Sequence, residues 1–485
     1  MSIGLHNSEF KNPVVRWIDQ RMPVFTMMQK EYGTFPTPKN FNYFWNFGAL
    51  AMVTLLIMIA TGIFLSMNYA AHTSLAFDSV ERIMRDVNFG WLIRYIHMNG
   101  ASMFFIVVYI HIFRGMYYGS YKAPRELVWV FGMTIYLALM AEAFLGYVLP
   151  WGQMSYWGAQ VIISLFGAIP VVGEDIVQWI RGDYLISGIT LNRFMSLHVV
   201  ALPIILIALI VMHIIALHDV GSNNPDGVSI KEHKDKDGNP IDGLPFYPYF
   251  VIHDLVPIVV FLFAFCAVLF FMPEMGGFFL EYANFEIANS LKTPEHIAPV
   301  WYFTPYYSML RAVPDKLGGF ITMGAAIAIL FVLPWLDRSP VRSMRYKGNI
   351  SRAALLMFAA VFIILGYLGV KAPTEGRTIL AQICTLLYFS YFIGIYFWTK
   401  YETTRPEPAR ITMDGGIGPL RTLGAIGIVA LLVIIPIKAV GAESGHNCGT
   451  IDCEPFEAQL TNDASLQNGA KLAVNFCMGC HSFKY

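Results

Sequence analysis

Long apolar runs separated by charged connections constrain the fold of this chain more than any other feature. Each run is close to the ~20 residues that a helix needs to cross a bilayer. Of the 485 residues 56% are hydrophobic and only 14% are charged, against about 25% charged in soluble domains. The pattern predicts an all-α polytopic membrane protein surrounded by lipid. Its eight spans, A to H, are predicted at 43–66, 91–117, 127–149, 191–217, 250–272, 318–336, 351–370 and 378–399.

The charges of the connections predict how the spans are oriented. Lys and Arg dominate the N-terminal segment, the B–C, D–E and F–G connections and the stretch after H, whereas the A–B, C–D and E–F connections are acidic or balanced. Basic connections stay on the cytoplasmic side, so the N-terminus is predicted to be cytoplasmic. Residues 1–33 mix bases with large apolar side chains, as an interfacial helix does. The net charge of zero gives no reason to expect a nucleic-acid partner.

Two histidines on each of spans B and D are the most informative polar residues. His97 and His111 stand at positions i and i+14, and His198 and His213 stand at i and i+15. Each pair returns roughly to one helix face, with the two members ~21–23 Å apart along the axis. Because B and D run in the same direction, His97 and His198 share the outer level and the other two share the inner level. A lone histidine in an apolar helix is usually hydrogen-bonded packing, but two matched pairs favour bis-histidine haem and electron transfer.

Glycines and arginines support a flat, acidic ligand at these levels. Spans A and C each carry two glycines with the same i, i+14 spacing, which fall at the histidine levels and leave room for a porphyrin; small-residue helix packing is the alternative. Arg94 and Arg114, each three residues from a histidine, are suited to haem propionates. Snorkelling to the cytoplasmic surface would also explain Arg114, but not Arg94 on the outer side. The four glycines are Gly48, Gly62, Gly132 and Gly146.

Several motifs resemble one family. Residues from about 10 to 400 resemble cytochrome b of the cytochrome bc complexes, in its eight-helix form. The resemblance implies a dihaem four-helix bundle (A–D) at 34–220 and helices E–H with quinone-site loops at 221–400. The motifs are WNFG at Trp45–Gly48, RYIHMNGAS at Arg94–Ser102, HIFRGMYYGSYKAPRE at His111–Glu126, GYVLPWGQMSYWGAQV at Gly146–Val161 and GSNNPDG at Gly221–Gly227.

The family resemblance also implies a function. Ubiquinol would be oxidised at an outer site, one electron going to a Rieske iron–sulfur protein and the other through two non-covalent b haems to a quinone at an inner site. This Q-cycle moves protons across the bacterial inner membrane. The subunit would be active only together with the Rieske protein and cytochrome c1, in a homodimeric complex.

The predicted outer quinol site departs from the commonest family pattern. The family usually has Pro-Glu-Trp-Tyr, whereas this chain has valine at position 300, and valine cannot accept a quinol proton. Another proton acceptor is needed, and Glu274 and Glu295 of the E–F loop are equally favoured, with His296 a further candidate. The predicted outer site comprises Tyr147, Gly158, Glu274, Glu295, Pro299, Trp301 and Tyr302.

The predicted inner quinone site lies at the end of D and the start of E, with His218, His253 and Asp254. The family commonly has Lys-Asp where this chain has His253-Asp254. Asp254 would serve as a proton donor, and a histidine that titrates near neutrality would replace the lysine. The alternative for His253 is an ordinary interfacial histidine at the end of a span.

The C-terminal part predicts a second unit. A linker at 401–420 precedes an apolar segment at 421–442, a ninth span that resembles an internal signal sequence and would deliver the tail to the periplasm. In 443–485, Cys477, Cys480 and His481 form the C-x-x-C-H pattern of covalent haem c. This tail resembles the start of cytochrome c1, so the chain is predicted to be a cytochrome b–c1 fusion. The tail is too short to build a packed haem domain, so it is either truncated or vestigial.

Two other classes of protein remain open from the sequence. One is a b-haem anchor subunit of another membrane quinone oxidoreductase, which would lack the Trp301-Tyr302 loop and a Rieske partner. The other is a transporter or channel with structural histidines and no haem. A reduced-minus-oxidised spectrum separates the haem proteins from the transporter.

Overall fold

The computed structural model describes residues 7–413 and is mostly helical. The N-terminal half contains α1 Pro13–Arg21, α2 Val24–Met28, α3 Phe47–Ser66, α4 Ala76–Arg85, α5 Gly90–Tyr118, α6 Glu126–Val148, α7 Gln153–Leu165, α8 Gly173–Arg181, α9 Gly188–Ser196 and α10 Leu202–Val220. The C-terminal half contains α11 Tyr249–Phe271, α12 Thr304–Ala312, α13 Lys316–Phe331, α14 Leu333–Leu336, α15 Asn349–Val370 and α16 Glu375–Tyr401. Single turns of 3-10 or π-helix occur at Gln29–Gly33, Tyr43–Asn46, Phe166–Ala168, Leu197–Ala201, Met275–Gly277, Tyr282–Phe285 and Trp301–Phe303.

The predicted membrane architecture is confirmed. Within the described residues, seven helices are long and apolar enough to cross a bilayer. They correspond to spans A to E, G and H. Span F is the 16-residue helix α13, which is followed by α14 because Pro334 can occupy only the first turn of a helix. The apolar segment at 421–442 lies outside the described residues.

The helices pack in two neighbouring groups. In the first, α3 packs along α5 and α6 along α10; in the second, α12 packs on α15 and α13, and α15 packs on α16. The largest buried apolar cluster among the described residues includes Phe105 of α5, Phe358 of α15 and, from the turn Trp301–Phe303, Tyr302. Helices A to D thus form the predicted four-helix group, and the second group closes one side of it.

Span D is interrupted by a π-helical turn. α9 passes through Leu197–Ala201 into α10, and Pro203 lies at the first turn of α10. Proline has no N–H to donate, so a regular helix would lose a hydrogen bond at this position. π-Turns inside α-helices are frequent at functional sites, and this turn carries His198.

Buried ion pairs join the connections at the end predicted to face the cytoplasm. Asp337, in the connection before α15, contacts Lys347 at 2.5 Å and Lys122 at 3.3 Å, and the Tyr121 hydroxyl donates to it at 2.6 Å. Burial alone would raise the pKa of Asp337, but the two lysines and the hydrogen bonds hold it below its ordinary value. The B–C and F–G connections are therefore fastened to each other by charge.

Replacing Asp337 by asparagine is expected to destabilise the protein by about 3–5 kcal/mol, because it leaves the fully buried ammonium group of Lys347 without its counter-charge. Thermal unfolding of the purified protein in detergent measures this effect. Asp78→Asn, at an exposed position of α4, is the matched control. An unchanged unfolding temperature for Asp337→Asn would show that this pair does not stabilise the fold.

Candidate functional site

The four histidines meet in pairs at two levels between α5 and span D. The ring centroids of His97 and His198 are 6.2 Å apart, and those of His111 and His213 are 6.5 Å apart. A metal bound at about 2 Å by one nitrogen of each ring would place the centroids about 6 Å apart. The separation of both pairs therefore fits a six-coordinate haem iron with two imidazole ligands.

Each predicted glycine faces one of these histidines. A Cβ atom at Gly48 would lie 3.5 Å from Cε1 of His111, one at Gly62 3.0 Å from His97, and one at Gly132 3.3 Å from His213. A Cβ at Gly146 would run into the ring of His198. The absence of side chains at these positions lets each imidazole lie against the backbone of the neighbouring helix.

The outer pair is oriented by hydrogen bonds to Nδ1. Nδ1 of His97 lies 3.0 Å from the Thr61 hydroxyl. Nδ1 of His198 lies 2.9 Å from the carbonyl oxygen of Glu142 and 3.1 Å from its carboxylate. A hydrogen bond at Nδ1 selects the tautomer that leaves Nε2 available to a metal. In both outer histidines, Nε2 is thus the ring nitrogen left available to a metal.

The inner pair has a different environment. The Arg114 guanidinium lies 3.4 Å from Nδ1 of His111 and over the ring of Trp45. Within residues 7–413, Nδ1 of His213 and Nε of Arg114 are buried without a hydrogen-bond partner. A buried guanidinium with an unsatisfied donor suits an anionic group such as a propionate. Arg94, the predicted outer counterpart, is partly buried near the start of α5.

The loop between spans E and F is attached to the segment after span C. The backbone N–H of Gln153 donates to the carbonyl of Glu286 at 2.9 Å, and that of Ala288 donates to the carbonyl of Trp151 at 3.1 Å. The side chain of Asn284 also accepts from the backbone N–H of Ser155 at 2.8 Å. These bonds hold the first part of the loop against the end of α6.

This attachment places Glu281 against Tyr147, the last tyrosine of α6. The Tyr147 hydroxyl donates to the Glu281 carboxylate. Burial raises the pKa of Glu281 to about 7, although the hydrogen bond from Tyr147 lowers it. The result is a carboxylate that changes protonation close to physiological pH, which suits a general base.

The sequence argument favoured Glu274 and Glu295, and the structure places neither of them at Tyr147. Glu274 begins the turn Met275–Gly277, and Glu295 is exposed. Nε2 of His296 donates to the carbonyl oxygen of Val370 at 2.9 Å. Glu281 is another acidic residue of this loop, but no spacing in the sequence connects it to Tyr147. The hydrogen bonds between the loop and the segment after α6 bring the two together.

The remaining predicted outer residues have other contacts. The Trp301 indole donates to the Ser102 hydroxyl at 3.0 Å, and the Tyr302 ring stacks on Phe105 at 4.0 Å. Val300 is buried in the main apolar cluster, and Pro299 precedes it. A Cβ at Gly158 would meet nothing within 4 Å, so the structure leaves open space there.

The predicted inner residues contact the segment that precedes α3. His218 lies 3.1 Å from the Glu31 carboxylate. The Asn46 amide lies 3.0 Å from Nδ1 of His253 and donates to the Asp254 carboxylate. Asn46 and Glu31 were missed by the sequence argument, because their role depends on a chain segment returning across the ends of two distant helices. The predicted haem c residues Cys477, Cys480 and His481 lie outside the described residues.

Comparisons with known proteins agree on one family. Residues 33–221 match the family model "Cytochrome b/b6/petB", and residues 287–389 match "Cytochrome b(C-terminal)/b6/petD". Cytochrome b of Allochromatium vinosum is 54% identical over 410 residues, covering 83% of this chain and 99% of the relative. Cytochrome b of Rhodospirillum rubrum is 51% identical over 406 residues, covering 83% and 97%.

A fused relative and a solved structure extend the match. Cytochrome b/c1 of Bradyrhizobium diazoefficiens is 41% identical over 481 residues, covering 98% of this chain and 68% of the relative. A chain of a solved structure described as a hyperthermophilic respiratory Complex III matches with a TM-score of 0.74 and 37% identity, covering 80% of this chain and 99% of that one. The chain belongs to the cytochrome b family, the haem b proteins of membrane-bound respiratory electron transport.

Proposed function

We propose that the chain is the cytochrome b subunit of a bacterial ubiquinol:cytochrome c oxidoreductase that operates a Q-cycle. The observation that carries this proposal is the Tyr147–Glu281 pair beside the outer histidine level. Quinol oxidation to quinone releases two protons and two electrons, so an outer oxidation site needs a proton acceptor. A b-haem anchor subunit of another quinone oxidoreductase would not need one on this side.

The residues of the outer site have separate roles in quinol oxidation. Tyr147 hydrogen-bonds the Glu281 carboxylate and positions it, and the ionised carboxylate accepts a proton from the quinol hydroxyl. Trp301 stacks on Phe278 with ring centroids 5.5 Å apart, and this aromatic wall excludes water from the reacting atoms. Haem b, when bound, supplies one-electron transfer. Its ligands are His97 and His198 at the outer level and His111 and His213 at the inner level.

The inner site is proposed to reduce quinone. His218, His253 and Asp254 offer hydrogen bonds and protons to the quinone oxygens, and Asn46 holds the latter two in place. Two electrons that arrive singly and two protons taken up from the cytoplasmic side convert one quinone to quinol. Proton release outside and uptake inside couple the reaction to proton translocation.

The assembly is proposed from the relatives. The solved neighbour comes from a respiratory Complex III, and one relative is a cytochrome b/c1. We infer a homodimeric complex with a Rieske protein and cytochrome c1 in the bacterial inner membrane, with the N-terminus cytoplasmic and 443–485 periplasmic. Cys477, Cys480 and His481 would attach haem c in that tail. Residues 34–220 would form the dihaem unit and 221–400 the quinone-loop unit.

A spectrum and an activity assay together test the function. The purified complex is expected to show two b haems per chain in a reduced-minus-oxidised spectrum and ubiquinol-dependent reduction of cytochrome c. Absence of b-type bands would exclude both haem functions. Two b haems without ubiquinol:cytochrome c activity in the Rieske-containing complex would favour the anchor subunit.

A further inference from the structure

The segment between α2 and α3 contacts both halves of the predicted inner site. Its strand β1 (Pro36–Pro38) pairs antiparallel with β2 (Gly243–Pro245), just before α11. Tyr43 stacks on His253 with ring centroids 4.8 Å apart. One continuous stretch, residues 31–46, thus links the end of span D to the start of span E; we call it the inner strap.

The first residues of the inner strap hold the ring of His218 from three directions. The Glu31 carboxylate lies 3.1 Å from Nδ1. Phe35 stacks on the ring with centroids 4.3 Å apart. The ring of Tyr32 lies at a steep angle to it, with centroids 5.5 Å apart. Within residues 7–413, no hydrogen-bond partner is found for Nε2 of His218. An imidazole fixed in this way has one nitrogen committed to the strap and the other free for a ligand.

The side chains of Glu31 and His218 differ in their exposure to solvent. The side chain of Glu31 is 40% exposed, whereas that of His218 is 17% exposed. Two cationic groups near this end of span D are engaged with backbone carbonyls. Lys231 donates to the carbonyl of Asp219, and Arg125 donates to that of Gly221. Glu31 is therefore the carboxylate that contacts the His218 ring.

We propose that Glu31 is a positioning residue for quinone reduction at the inner site, which rests on the proposed function. The carboxylate aligns the His218 ring through Nδ1, and Nε2 then donates a proton to a quinone oxygen. The quinone receives two electrons and two protons in total, and the protons come from cytoplasmic water.

Glu31→Gln keeps the size of the side chain and removes its charge. In the whole complex, pre-reduced b haems are oxidised with a short-chain ubiquinone while the Rieske protein is kept reduced, and the rate of haem oxidation is followed. The rate is expected to fall about tenfold in Glu31→Gln, because the hydrogen bond that aligns the ring changes from one with a charged carboxylate to a weaker one with a neutral amide. Glu31→Asp is expected to restore part of the rate. Glu9→Gln, at an exposed position on the same side, should leave the rate unchanged.

A second readout reports on ring position. The nitrogen hyperfine coupling of an inner-site semiquinone to the His218 imidazole is expected to change in Glu31→Gln and not in Glu9→Gln. Equal haem content in the variants shows that folding is intact. Identical rates and couplings for Glu31→Gln and the parent would overturn the inference. Failure of the parent's b haems to be oxidised by ubiquinone would instead overturn the proposed inner site itself.

Discussion

Glu281→Gln is expected to slow ubiquinol oxidation by about 100-fold at pH 8, since a positioned general base typically contributes 10²–10⁴-fold. Glutamine keeps the hydrogen bond to Tyr147 but cannot accept a proton from the quinol. Steady-state reduction of cytochrome c by the purified complex measures the effect. The haem content should be unchanged, because the hydrogen bond described for Glu281 is with Tyr147 and not with a predicted haem ligand.

The pH dependence of the parent gives an independent check. A carboxyl group with its pKa raised to about 7 is protonated and inactive as a base below that pH. The rate should therefore rise as pH increases through about 7 and level off above it. Glu281→Gln should lose this rise. A parent profile with no inflection between pH 6 and 8 would argue against Glu281 as the base.

Matched variants separate this role from general damage to the loop. Glu286→Gln changes an exposed carboxylate five residues away and should have little effect. Adding Val300→Glu to Glu281→Gln moves the carboxylate to the position where the family commonly carries it, and should recover part of the rate. If Glu281→Gln retains the activity and pH profile of the parent, Glu281 is not the proton acceptor.

His198→Ala is expected to leave one b haem per chain instead of two and to abolish turnover. The outer iron would lose one of its two protein ligands, and the electron path between the outer and inner levels would be broken. Pyridine haemochrome analysis gives the haem-to-protein ratio, and the low-spin signals in the electron paramagnetic resonance spectrum show which centre is lost.

The inner pair and an exposed histidine provide the controls. His213→Ala should remove the other low-spin signal and leave the outer one. His72→Ala changes an exposed histidine in the A–B connection and should leave both signals and the activity unchanged. Two haems retained in His198→Ala would contradict the assignment of His97 and His198 as an outer pair.

The sequence was sufficient for the spans and for the pairing of the histidines, because both depend on helical periodicity. Hydrophobic runs reveal spans, and an i, i+14 or i, i+15 spacing returns roughly to one face whatever the tertiary structure. The facing glycines followed from the same arithmetic. Within a membrane-spanning helix, the spacing of two residues in the sequence fixes their relative level and face. The sequence pattern and the observed positions therefore agree.

The contacts of the proposed quinone sites could not be predicted in this way. Glu281 reaches Tyr147 across 134 residues, and Glu31 reaches His218 across 187 residues. Each contact depends on a loop or strap with no periodicity of its own, fixed by backbone hydrogen bonds to a distant segment. Several acidic residues of the E–F loop were equivalent in sequence, and folding brought Glu281 to Tyr147.

The π-helical turn at Leu197–Ala201 explains how two helices with unequal histidine spacing present matched pairs. A π-turn accommodates one extra residue in an α-helix. The angle around the helix axis between His198 and His213, at i and i+15, is therefore nearly the angle between the two histidines of α5, at i and i+14. An insertion that would otherwise rotate everything beyond it by about 100° is confined to a single turn. Because of this turn, span D carries one residue more than α5 between its two histidines, and yet both of them face their partners in α5.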